Sequence, residues 1–162
     1  MSILENADIE SWIAKETPEP VLEPDLPIID PHHHLWDLRP NNQMGFRQEV
    51  YLCEEISRDI SESGHNVVQT VFAQCGAFYR ADGPEEMRCI GETEFVNGIA
   101  AMSRSGVYGP TRLCTGIFST ADLRLGSSAE AVLTAHLEAS PNFRGVRSAF
   151  PTDLNETFLA GF

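Results

Sequence analysis

Apolar positions along the chain switch repeatedly between two periods, and the switches mark out a series of elements. Residues 27–33, 66–75, 112–118 and 142–149 read as strands; in the second, Val67-Val68 and Val71-Phe72-Ala73 make a nearly continuous β-rich run, as expected of a parallel strand covered on both faces. Between them lie three helical patterns. Over 48–62, Leu52, Cys53, Ile56 and Ile60 form an apolar stripe opposite Glu54, Glu55, Arg58 and Asp59, and Gly64 marks the end. Over 84–105, Pro84 suits the first helical position and Glu85 and Glu86 the positive end of the helix dipole, with Met87, Ile90, Phe95, Ile99 and Met102 as the apolar side. Over 127–139, Ala129, Val132, Leu133, His136 and Leu137 share a face, which makes His136 a core histidine. Strands alternating with helices predict an α/β fold with a parallel sheet.

Upstream, residues 1–26 form an arm. Ile9, Trp12 and Ile13 put a narrow apolar stripe on a short helix over 7–15, with Trp12 as the group to bury, and an acidic, Pro-rich extended segment follows over 17–25. The domain proper then covers 27–162.

Charge narrows the partners. There are 11 Lys+Arg against 24 Asp+Glu, a formal net charge of −13, which argues against nucleic acid or an anionic membrane surface as partner. No apolar run approaches the ~18–20 residues that span a bilayer, and the acidic first ten residues lack a secretory apolar region, so a cytoplasmic protein is expected. The four cysteines, Cys53, Cys75, Cys89 and Cys114, form no Cys-x-x-Cys pair and read as reduced packing thiols. Cys75, at the expected end of the second strand, has no basic neighbour to activate it. Neither a dinucleotide-binding or P-loop sequence nor a Gly-x-Ser-x-Gly elbow is present.

The residue types that carry chemistry gather at 27–37, PIIDPHHHLWD. Strand alternation puts Asp30, His32 and His34 on one face and His33 on the other. Two imidazoles on one face can share a divalent cation, with Asp30 as an outer anion or a third oxygen donor. Downstream, Tyr79 and Arg80 lie in the loop after the second strand and are candidate substrate contacts or parts of an exposed turn. Asp122 and Arg124 could clamp a ligand or pair with each other. Arg144 and Arg147 have opposite parity, so at most one points inward; Arg147, nearer the C-terminal end of its strand, is the candidate for gripping a substrate carboxylate.

The Asp-x-His-x-His-x-x-Trp stretch resembles the first strand of the amidohydrolase superfamily, in the form of the amidohydrolase-related, lactonase-like branch. Further resemblance runs in order through VFAQCGAFYRADGP (71–84), GETEFVNGIAA (91–101), ADLRLG (121–126) and FRGVR (143–147). The resemblance implies a (β/α)8 TIM barrel with its site at the C-terminal ends of the strands. Such barrels take about 250 residues, so the 162 residues here correspond to an N-terminal half, about four βα units. It further implies that His32 and His34 are metal ligands for Zn²⁺ or Mn²⁺, completed by histidines and an aspartate from later strands that this sequence does not contain.

The implied activity is metal-dependent hydrolysis of a lactone or ester C–O bond in a carboxylated or hydroxylated small molecule, with Arg147 and Tyr79 holding the substrate. A decarboxylase of the same family is the neighbouring alternative. So is an inactive half-barrel that pairs with a copy of itself or with a C-terminal half-barrel chain, and by itself the chain is expected to be inactive and to hold little metal.

Overall fold

The structure, a computed structural model, describes residues 11–17, 19–39 and 48–147. Its elements are β1 (Ile28–His33), β2 (Trp36–Asp37), β3 (Val50–Tyr51), α1 (Cys53–Glu62), β4 (Val67–Ala73), α2 (Ile90–Arg104), β5 (Arg112–Ser119), α3 (Ala129–Ala139) and β6 (Phe143–Val146). Four strands pair in parallel in the order β1-β4-β5-β6, and each step is made through a helix. Parallel neighbours need such crossovers, since a tight turn can only reverse the chain. The fold is therefore α/β with a parallel four-stranded sheet.

The core explains why these segments take these forms. Phe72 of β4 and Leu113, Cys114 and Ile117 of β5 cluster with Cys53 and Ile56 of α1 and with Val96, Ile99 and Ala100 of α2, beneath the fully buried Leu35. A second cluster joins Cys89 and Ile90 to Val132 of α3. Both clusters lie on the helix-covered side of the sheet. On the opposite side Ile29 is 56% exposed and Phe118 40%, so that face is open.

Several expectations about elements are corrected in detail. Residues 50–51 are not the start of the first helix: they form β3, which pairs antiparallel with β2, stacking Trp36 on Tyr51 at 5.2 Å between ring centroids. α1 begins at Cys53, where Glu55 Oε2 accepts the Leu52 N–H at 2.8 Å. The segment 84–105 divides into a 3-10 turn, Glu85–Met87, and α2. The buried side of α2 includes Glu92, Thr93 and Ser103, while Met102 is 42% exposed. Leu137 points away from the core that holds Ala129, Val132 and His136. In the arm, residues 11–13 are helical, but Trp12 is 68% exposed and finds nothing to bury against among the described residues. Instead the arm is held further along, where Asn66 Nδ2 donates to Asp25 O (3.1 Å) and Val21 packs on Gly64, whose φ of +74° ends α1. Residues 14–15 of the expected 7–15 helix form a turn, and its residues 7–10, residues 40–47 and everything after Arg147 lie outside the described residues.

Candidate functional site

Three of the sequence-predicted residues meet at the C-terminal ends of the parallel strands. His32 and His34 approach tip to tip, Nε2 to Nε2 at 3.2 Å, with their rings nearly perpendicular. Arg147, just past β6, brings Nη1 to 3.4 Å from His32 Nε2, and its Nη2 donates to Gln74 O at 2.6 Å. His34 Nδ1 lies 2.7 Å from the Ala73 carbonyl. A carbonyl can only accept, so His34 carries its proton on Nδ1 and leaves the Nε2 lone pair facing His32. Burial, His32 and the Arg147 guanidinium all hold the His34 pKa below the usual imidazole value, against the opposing pull of Ala73 O. The ring is thus kept neutral, the form that binds a cation.

The alternation read from the sequence holds for the histidines and fails for Asp30. β1 carries a bulge: Asp30 pairs with Thr70 and His33 with Phe72, so three steps on β1 match two on β4. An extra residue reverses side-chain parity beyond it. Asp30 therefore falls on the helix-covered side, lining a hollow with His33, Tyr51, Ile56 and Asp59, and not beside the His32–His34 pair. Its Oδ1 accepts the His32 main-chain N–H at 3.0 Å, which braces the bulge. His33 is buried, with Nε2 2.8 Å from Thr70 Oγ1, which also accepts the Cys114 N–H. Desolvation pushes its pKa down to about 4 despite the nearby Asp30 charge.

Parity also fails for the arginines. β6 shifts register opposite the Ile117–Phe118 step of β5. As a result Arg144 Cγ lies over Gly116, 3.7 Å from where a Cβ would stand, while Arg147 reaches the imidazole pair. Arg144 Nη1 is spent on the carbonyls of Pro141 and Phe143.

Tyr79 joins the cluster through a residue the sequence reading passed over. Gln74 Nε2 donates to Tyr79 OH at 3.0 Å, and the same residue's carbonyl receives Arg147. Burial raises the Tyr79 phenol to about 12. Arg80, by contrast, is paired with Glu94, and Arg124 makes a two-pronged pair with Asp122, so neither is a free ligand clamp. Cys75 is exposed and so is not the core packing thiol the sequence suggested; its Sγ donates to Leu35 O, and desolvation together with the Glu92 charge lifts its thiol to about 11, which leaves it a poor nucleophile.

Glu92 is the other residue missed. It is fully buried on α2, and its Oε1 accepts the N–H groups of Cys75 (3.0 Å) and Ala77 (2.9 Å). A glutamate in a helix pattern reads as solvent-facing, and with Thr93 and Glu94 beside it nothing local marks this one as buried.

The donor set can be tested against a metal ion. Two nitrogens bound to one tetrahedral Zn²⁺ at ~2.0–2.1 Å stand about 3.3 Å apart, close to the 3.2 Å of the His32–His34 pair. The carbonyl on His34 Nδ1 is the outer contact that metal-bound imidazoles ordinarily make. The pair fits a cation as two donors of a larger set; among the described residues no group of three or more His, Cys, Asp or Glu side chains is placed to hold one. No helix among them is long and apolar enough to cross a membrane. Compared with family models, curated proteins and solved structures, the chain matches none.

Proposed function

We propose that the described residues are the first four strands and three intervening helices of an amidohydrolase-like (β/α)8 barrel, which acts on the lactone or ester C–O bond of a carboxylated small molecule. The observation that carries this reading is the convergence of His32 Nε2 and His34 Nε2 at the strand ends, with the His34 tautomer set by Ala73 O. In such barrels the C-terminal strand ends are where sites are built.

His32 and His34 would hold a divalent ion, Zn²⁺ or Mn²⁺, which when bound supplies Lewis-acid polarisation of the scissile carbonyl. Ala73 O fixes the His34 ring, so its lone pair needs no reorganisation. Arg147 is already tethered to Gln74 O through Nη2, so it can turn its remaining donors to a carboxylate without losing its position. Tyr79, held by Gln74, offers a neutral hydroxyl to the same substrate.

A second reading, a half-barrel that is inert until further βα units join it, is favoured by the open sheet face with its exposed Ile29 and Phe118, and by the two-donor count. Parallel sheets are ordinarily covered on both faces. A second copy, or a separate chain carrying such units, would cover that face.

The experiment is metal analysis after dialysis, then complementation. The chain alone is expected to retain well under one equivalent of Zn²⁺; stoichiometric retention would refute the incomplete donor set. A chain supplying the later βα units should restore both metal binding and lactone hydrolysis, and His32→Ala should abolish both. Hydrolysis that survives His32→Ala would remove the imidazole pair from the chemistry.

A further inference from the structure

The two carbonyls that orient the cluster, Ala73 O on His34 and Gln74 O on Arg147, belong to consecutive residues at the very end of β4. What fixes that strand end comes from the next helix. Glu92 Oε1 receives the N–H groups of Cys75 and Ala77, the amides immediately downstream. Beside it, Gly91 has no side chain because none fits. A Cβ there would stand 2.5 Å from Phe78 O and 2.7 Å from Arg80 N, so the loop backbone rests directly on the start of α2. The loop itself is bent sharply, with φ of +85° at Gly76 and +56° at Phe78, and Phe78 is closed down on Phe95 at 4.1 Å between ring centroids. A left-handed φ on a phenylalanine persists only where surroundings over-determine it. Here the carboxylate, the glycine platform and the ring contact do so. Burial raises the Glu92 carboxyl above its usual range, against the pull of the Cys75, Ala77 and Gly76 amides gathered around it.

We infer that Glu92 is the positioning residue of this site: by clamping the Cys75 and Ala77 amides it sets the Ala73 and Gln74 carbonyls, and through them the His34 tautomer and the Arg147 guanidinium. Glu92 itself touches neither ring nor guanidinium. The inference concerns the cluster proposed above as a cation and carboxylate site, and rests on that reading for its functional meaning. The geometric part stands on the hydrogen bonds alone.

The test reads the rings directly. Long-range ¹⁵N–¹H spectra of the full chain should show His34 as a single Nδ1–H tautomer. In Glu92→Ala, His34 should pass to a mixture of tautomers, while His136, fixed between Thr93 and Thr120, keeps its wild-type signature. A merely structural role would move both rings or neither. Glu92→Gln retains a carbonyl oxygen for the two amides and should return His34 towards the single form. An unchanged His34 in folded Glu92→Ala would overturn the inference.

Should Glu92→Ala not fold, hydrogen exchange on the wild type decides. The Cys75 and Ala77 amides should be protected as well as those of β4; exchange at the rate of free loop amides would overturn the clamp. The metal reading fails separately, if excess Zn²⁺ leaves the His32 and His34 resonances of the wild type unmoved whatever Glu92 does.

Discussion

The Arg147 guanidinium, at the end of β6, donates through Nη2 to the main-chain carbonyl of Gln74 at the end of β4, 2.6 Å away and across the intervening β5. This tether places a fixed positive charge beside two imidazoles, and Arg147 is one of the causes that lower the His34 pKa. Replacing Arg147 with Met removes the charge and keeps most of the bulk. The His34 pKa should rise, measured as a shift of its ring signals to higher pH in an NMR titration. A charge-assisted hydrogen bond contributes ~1.5–3 kcal/mol, so a carboxylated ligand of the completed site should bind roughly 10- to 100-fold more weakly, as measured by calorimetry. Unchanged carboxylate affinity would leave Arg147 a tether only.

Gly91→Ala should destabilise the fold although alanine is the better helix former. The gain in helix propensity is ~1 kcal/mol. The new methyl would meet two backbone atoms, Phe78 O and Arg80 N, at 2.5 and 2.7 Å, and backbone cannot swing aside as a side chain tip can. Overpacking of this kind costs about 1–3 kcal/mol. A lowered urea midpoint is the expected result, together with faster amide exchange over 75–80; a raised midpoint would mean the loop is not seated on the helix.

Acid should weaken the protein before its carboxylates titrate. His136 is fully buried, stacked on Phe143 at 5.0 Å and bonded to Thr93 and Thr120, and burial holds its pKa below the ordinary imidazole value. The unfolded chain takes up this proton near pH 6.5 and the folded chain only at lower pH. More protons are then bound unfolded than folded in that window, so stability rises with pH there. The contribution is complete above pH 6.5 and is lost as the pH falls through the folded value. Urea midpoints between pH 7.5 and 5 should therefore decline, and His136→Gln should flatten part of that decline. An undiminished slope in the variant would assign it elsewhere.

Cys75 should be slow towards alkylating agents. Raising a thiol from 9.0 to about 11 reduces the reactive thiolate at neutral pH about 100-fold. Iodoacetamide labelling at pH 7.5, followed by mass spectrometry, should leave Cys75 largely unmodified while an added free thiol reacts. Rapid labelling would contradict the raised, carbonyl-bonded thiol.

The sheet was largely legible because its signal is local. The Val67–Ala73 run and the Arg112–Ser119 run carry their β character in their own branched residues. Helix starts were less so: residues 48–52 pattern like a helix, but Trp36 offers Tyr51 a flat ring to stack on, and that partner lies across a loop the periodicity cannot see. Of the site, the histidine pair was readable from spacing, whereas Asp30 and Arg144 were misplaced for one shared reason. Both sit at bulges, and a bulge is set by the neighbouring strand's register. Gln74 and Glu92 escaped notice because their work is done by a main-chain carbonyl and by acceptance from main-chain amides, neither of which leaves a motif.

Strand alternation at the end of β1 divides three identical neighbours into two unlike jobs. His32 and His34 face outward, where either could be exchanged with little injury to folding; His33 is enclosed against Thr70 and Cys114. A saturation library scored once for soluble expression and once for ligand capture should thus part the triplet, with the middle position intolerant in the first screen and the flanking ones only in the second.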